Sequence, residues 1–191
     1  MKKNIFLQTA FIALMLIVST SAFAQNKMSK DVKTVGGAPM YPTKNIVENA
    51  VNSKDHTTLV AAVQAADLVE TLQTAGPFTV FAPVNKAFEA LPAGTVETLL
   101  KPENKAALQG VLTYHVVAGR ISAADIMTAI RKGNGTANFT TVAGGKLTAK
   151  LKDGGVQLTD ENGRTAMVTI ADVNQSNGVI HVIDSVVLPK S

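Results

Sequence analysis

Three histidines and a scattered set of carboxylates are the residues of this chain that could carry acid–base or metal chemistry. His56, His115 and His181 lie far apart. No two share the three- or four-residue spacing of a helical metal pair, and the chain has no Cys, so no metal site is expected. His115 and His181 sit inside apolar stretches, Tyr114-His115-Val116-Val117-Ala118 and Val179 to Ile183. They read as core or edge histidines bonded to backbone or to a hydroxyl. His56 falls where a helix begins and is expected to face solvent. Among the 14 carboxylates, Asp160–Glu161 lies at a turn and is expected to be solvated, while Asp172 and Asp184 stand beside apolar strand residues. A carboxylate at a strand end commonly caps a turn or loop. There is no Gly-x-Ser-x-Gly elbow, Walker loop or dinucleotide fingerprint. The expectation is a non-enzyme without cofactor.

Lys146, Lys150 and Lys152 make a basic row on one face of an alternating stretch. Only Phe139 is near, so the aromatic interleaving of a nucleic-acid platform is missing and a solvated face is expected. No nucleic-acid partner is implied.

The elements that must hold these residues follow from periodicity. Residues 44–52 have a helical face of Ile46, Val47, Ala50 and Val51, with Thr43 as a capping type. Further helical stripes are Leu59, Val60 and Val63, then Leu68, Val69 and Leu72. Phe78 to Ala82 is an apolar run between Gly76–Pro77 and Pro83, so a buried strand is expected, followed by a helix capped at Asn85. Leu108, Val111 and Leu112 give another helix, and Tyr114 to Ala118 reads as a strand. Only one of Tyr114 and His115 would then face the core. Ser122 and Asp125 have the spacing of a capping box for a helix to about Arg131.

The period then changes to 2. Leu147, Ala149 and Leu151 alternate with lysines and Thr148. Asp153–Gly154, Asn162–Gly163 and Asn177–Gly178 are turn signals between strands that continue to Leu188. Helices followed by antiparallel strands predict an α+β domain with a β-sandwich or partly opened barrel.

The amino end has the three parts of a secretory signal: Lys2–Lys3, an apolar run over Phe11–Val18, and Ala22-Phe23-Ala24 before Gln25. The apolar run is short for a membrane span. The expected organisation is a signal peptide over 1–24, a flexible linker over 25–42 and a folded domain over 43–189. Without residues 1–24 the chain keeps 16 basic and 14 acidic residues, a net charge of +2. No second segment looks able to span a membrane. Export to the periplasm or extracellular space is expected.

Four blocks then resemble one family. Phe78 to Phe88, FTVFAPVNKAF, is similar to the first signature block of the fasciclin-type (FAS1) domain, and Leu91 to Thr95 to the segment after it. Tyr114–His115 resembles the family's Tyr-His pair, and Ser176 to Asp184 its second block. The resemblance spans about 43–189 in one copy. It implies a wedge-shaped β-sandwich with N-terminal helices packed on one side. It also implies cell adhesion at a surface or in the extracellular matrix, through a protein or glycan partner and without catalysis. By resemblance, partner contacts would fall at Tyr114, His115, Asp172 and Val173, where Val173 stands in place of the family's Ile. Phe78, Phe81, Pro83, Asn85, Phe88 and His181 would be framework residues. A buried, structural His115 is favoured over a contact residue. The alternative is a periplasmic or secreted module that holds a small apolar ligand between helices and sheet.

Overall fold

The computed structural model describes residues 31–190. The expected signal segment lies outside them. A hairpin comes first: β1 (Lys33–Val35) and β2 (Ala38–Met40) pair across Gly36–Gly37. Both glycines take positive φ, +57° and +78°, as a two-residue hairpin loop needs. A Cβ on Gly36 would also meet the Asp55 backbone nitrogen at 2.5 Å. Val35, Ala38 and Met40 are buried. Residues 33–40 are thus packed structure, where a loose linker was expected. Their apolar residues are few, but the hairpin aims all three inward.

Three short helices follow, α1 (Ile46–Ala50), α2 (Thr57–Ala65) and α3 (Val69–Gln73). The cap of α1 is Asn45, not Thr43: Asn45 and Glu48 form a reciprocal capping box. Next come β3 (Phe78–Pro83), α4 (Asn85–Glu89), α5 (Thr95–Leu99), a 3-10 turn (Pro102–Asn104) and α6 (Lys105–Tyr114). β4 (Val116–Ala118) leads to α7 (Ala123–Lys132), whose Ser122–Asp125 capping box forms as expected. The remaining strands are β5 (Thr136–Thr140), β6 (Lys146–Lys152), β7 (Gly155–Thr159), β8 (Thr165–Gln175) and β9 (Gly178–Ile183).

The fold is α+β, with helices beside one large, nearly closed mixed sheet. Its strand order is β4-β3-β9-β8-β7-β6-β5. β3 and β9 pair in parallel, and every other pairing is antiparallel. The sequence pattern of hairpins had suggested antiparallel strands throughout. The two ends of the sheet approach each other: Val117 bridges to Thr141, and Val142 N–H donates to the Val116 carbonyl at 2.7 Å. Curvature enters at β8. Its register against β9 shifts between Val168 and Ile170 and again between Ile170 and Val173, and Asp172 there has φ +53°.

The central pair is buried on both faces, which explains its continuous apolar runs. Phe81 and Ile183 point into a core shared with Tyr114, Ile126, Ile130, Leu147 and Leu158. Val80, Ala82, Ile180 and Val182 point the other way, against Val35, Met40 and Ile46. A third cluster joins α2 to α6 through Ala62, Val63, Leu108 and Leu112. In β6, Leu147 and Ala149 are fully buried, whereas Leu151 runs past the core and is exposed.

Candidate functional site

Tyr114 and His115 stand where α6 ends and β4 begins, not within a strand. A helix end does not impose the alternation of a strand, so both are buried. The helix stops with Val111 lacking an amide partner four residues on, because the His115 N–H donates to Leu112 instead. The His115 ring supplies the substitute: Nδ1–H donates to the Val111 carbonyl at 2.8 Å. Its other nitrogen, Nε2, accepts from Val187 N–H at 3.3 Å. Both ring nitrogens are occupied by the neutral form. Burial pushes its pKa down to about 4, against the opposing pull of the Val111 carbonyl and the Asp160 charge.

Tyr114 reaches the other end of the sheet. Its hydroxyl donates to the Lys146 carbonyl at 2.7 Å and accepts from Glu161 N–H at 3.3 Å. Burial raises its pKa. Asp160, expected at a solvated turn, is buried. One carboxylate oxygen accepts from Asn162 N–H and Arg164 N–H, both at 2.9 Å, and the other accepts from Leu188 N–H at 2.9 Å. The Asp-x-Asn-Gly spelling of 160–163 is the signal that could have shown this, since Asp bonds its own turn two residues on.

Asp172 and His181 form the second group. The Asp172 carboxylate accepts from Ala123 N–H at 2.8 Å, in the first turn of α7, and so caps a helix. His181 is fully buried and stacks on Phe81 with ring centroids 5.6 Å apart. Its Nε2–H donates to the Ile121 carbonyl at 2.9 Å, and its Nδ1 accepts from Asp172 N–H at 3.3 Å. Burial lowers its pKa; the Ile121 backbone and the Asp172 charge oppose that, and Lys33 adds to it. Val173 is buried on the opposite side, in the core under the β1–β2 hairpin. Of the four residues expected to meet a partner, Tyr114, His115 and Val173 are therefore inside, and Asp172 is half-buried with its carboxylate engaged.

The expected framework residues are placed as follows. Phe78, Phe81 and Pro83 lie in β3, the first half-buried and the others buried, and Phe88 is half-buried in α4. Asn85 does not cap its own helix, which Val84 begins. Its Oδ1 accepts from Thr58 N–H at 3.0 Å and its Nδ2 donates to the Lys54 carbonyl at 2.8 Å. It thus caps α2, whose own N-cap residue His56 makes no such bond. His56 is buried rather than exposed. Its Nδ1 meets Ser53 Oγ at 2.9 Å, and no hydrogen bond of normal geometry reaches Nε2. Burial lowers its pKa, opposed by the Ala82 backbone and the Asp55 charge.

Two further residues had no sequence signal for their role. Asn177, read only as part of a turn, is buried. Its Oδ1 accepts from Ile46 N–H at 3.0 Å, and its Nδ2 donates to the Leu72 and Thr74 carbonyls at 2.8 and 2.9 Å. Arg120 reaches across to the same turn and donates to the Gly178 and Gln175 carbonyls at 2.6 and 2.8 Å.

The arrangement binds the fold to itself. His115 and His181 have both ring nitrogens engaged, and Asp160 and Asp172 accept backbone amides. Among the described residues, no group of three His, Asp or Glu side chains could hold a metal ion.

The family model of the Fasciclin domain matches residues 54–189. The chain belongs to the fasciclin family. Among its relatives, protein sll1483 of Synechocystis is 48% identical over 181 residues, which cover 95% of this chain and 93% of that protein. Transforming growth factor-beta-induced protein ig-h3 of Sus scrofa is 37% identical over 131 residues, 69% of this chain but 17% of that much longer protein. A solved FAS1 domain pair from the insect cell adhesion molecule Fasciclin I superposes with a TM-score of 0.69, covering 78% of this chain and 52% of that one. At 17% identity this likeness concerns the fold alone. Among the described residues, no helix is long and apolar enough to cross a membrane.

Proposed function

We propose that this fasciclin domain is an exported, non-catalytic adhesion or protein-interaction module, with a cell-surface or matrix protein or glycan as its partner. The observation that carries the proposal is the family match over residues 54–189. The relation to ig-h3 and the shared fold with an insect adhesion molecule support it. The inward use of His115, His181, Asp160 and Asp172 agrees with a module that does no chemistry. Tyr114, His115, Asp172 and Val173 then shape the contact surface from within and do not touch the partner.

A single domain of this size binds weakly and gains strength by repetition on a surface. The test is retention of protein-coated beads on immobilised matrix proteins and cell-surface glycans, with heat-denatured protein as control. Retention of the folded form on at least one surface is expected. Folded Tyr114→Phe protein should be retained equally, although it melts lower. No retention above the denatured control overturns the adhesion reading. Loss of retention in folded Tyr114→Phe overturns the framework role. Export is tested by mass measurement of the protein from the exported fraction, where an amino terminus at Gln25 is expected and one at Met1 would refute it.

A further inference from the structure

The lysine row of β6 lies on the solvent face of the sheet. Leu147, Ala149, Ala137 and Leu158 turn into the core, so the residues alternating with them turn out. In that outward layer Lys150 stands between Thr136 of β5 and Gln157 of β7, and Thr148 between Asn138 and Thr159. Hydroxyls and amides thus flank the lysines. None of the three strands contains an Asp or Glu. The nearest carboxylates along the chain, Asp153, Asp160 and Glu161, lie beyond the strand ends, and Asp160 is engaged by backbone amides.

Two features of this face have no role in the fold. β6 is an internal strand, so its lysines guard no sheet edge. At a rise of about 3.4 Å per residue, Lys146 and Lys150 stand about 14 Å apart and Lys150 and Lys152 about 7 Å. All three are exposed, and none has a carboxylate partner: among the described residues, the one ion pair joins Lys105 and Asp67. At the Lys150 end, α7 finishes with exposed Arg131 and Lys132, and a three-residue connection leads from there into Thr136. The second feature is Gln157. It is 4% exposed, and its side-chain amide makes no hydrogen bond within the protein. Among the described residues, the one buried side-chain atom both unpaired and closed to solvent is His56 Nε2. The Gln157 amide therefore stays open to solvent beside Lys150, where it can donate and accept.

An anionic chain complements such a face. Its positive charges are spaced, with hydroxyls and amides between them. That suits a polymer with separated charges and neutral hydroxyls between, as in a chain of sugar acids. The aromatic residue of β5, Phe139, packs against the core, so the face offers no ring on which bases would stack.

We propose that the outer face of β5, β6 and β7 binds a carboxylate-bearing polysaccharide, with its carboxylates on Lys150 and Lys152 and a sugar oxygen on the Gln157 amide. This rests on the adhesion reading above and names the partner for it.

The experiment uses the exported protein with three probes: an oligogalacturonate, the neutral maltohexaose and a short DNA duplex. Backbone amides of Thr148, Lys150 and Gln157 and the side-chain amide of Gln157 are followed by NMR. Oligogalacturonate is expected to shift them saturably at about 50 mM salt and to bind about tenfold more weakly at about 0.5 M. Maltohexaose should leave them unmoved, and the duplex should bind more weakly than oligogalacturonate. Lys150→Gln/Lys152→Gln, at exposed positions that leave the fold intact, should lower the affinity about tenfold. Lys86→Gln/Lys101→Gln makes the same change of net charge elsewhere on the surface and should have no effect. Gln157→Leu should cost about fivefold, the equivalent of one hydrogen bond; if it does not fold, the lysine pairs decide. Absence of saturable shifts, equal shifts by maltohexaose, duplex binding as tight as oligogalacturonate, or equal losses in the two lysine pairs would each overturn the proposal. Retention of coated beads on a matrix protein without any shift by oligogalacturonate would sink this proposal and leave the adhesion reading standing. Oligogalacturonate binding without bead retention on any surface would do the reverse.

Discussion

The buried, neutral His115 should make this domain less stable in mild acid. Its ring is buried as the neutral form, donating to Val111 and accepting from Val187. A second proton, on Nε2, would face the Val187 N–H, donor against donor. The folded pKa is depressed to about 4 from an ordinary 6.5. The sign follows: above pH 6.5 neither state binds the proton and the contribution is intact. Between 6.5 and 4 the unfolded chain takes up the proton and the folded one resists, so stability falls with pH. Over the interval from pH 7 to pH 5 the loss amounts to about 2 kcal/mol from this residue alone. His56 and His181 are shifted in the same direction, so the wild type declines more steeply than one histidine would cause. His115→Asn isolates the share of His115. The amide can still donate toward Val111 but leaves Val187 N–H unpaired, costing about 1–3 kcal/mol at pH 7. Urea unfolding of both proteins at pH 7 and pH 5 gives the comparison. The variant should be weaker at pH 7, and its loss on acidification should be about 2 kcal/mol smaller than that of the wild type. Equal losses in the two proteins would refute the reasoning, as would an NMR titration in which the His115 ring protonates near 6.5.

Two other substitutions probe the ties between distant segments. Asp160→Ala should cost roughly 3 kcal/mol, because three amides lose a charged acceptor; hydrogen exchange should show Leu188 N–H losing protection, and a variant as stable as the wild type would contradict the stapling role. Asn177→Ala frees Ile46 N–H and the Leu72 and Thr74 carbonyls, so a loss of roughly 2–4 kcal/mol is expected in denaturant unfolding, and a cost below about 0.5 kcal/mol, typical of a surface change, would show that the turn alone matters.

The parts of the fold that rest on local rules were readable from the sequence. The Ser122–Asp125 cap needs only one spacing. Phe78–Ala82 and Val179–Ile183 announce two-sided burial by their unbroken apolar character. What could not be read depends on segments that meet from afar. Asn85 has the right chemistry for a cap, but the helix it serves begins 28 residues earlier, at Thr57. His115 stands in an aromatic and β-branched stretch, Tyr114–Ala118, that looks like a strand, yet the helix of Leu108 and Leu112 carries on to Tyr114. His56 looks polar and terminal, and only the fold shows that Ser53 and the helices close over it. The Gly36–Gly37 hairpin lies in the stretch expected as a linker, because its strands are only three residues long and the second contains Pro39.

The parallel pairing of β3 with β9 sets the order in which this molecule can form. Each residue of β3 pairs with the residue 100 positions later, Phe78 with Gly178 through Pro83 with Ile183. The centre of the sheet is thus assembled from its first long strand and its last. A ribosome that has released everything up to Asn177 has made eight of the nine strands and still lacks the wall that both major cores share. Closing so long a loop is entropically costly and slow. The wall shared by the two sheet-facing cores can therefore close only after β9 has been made.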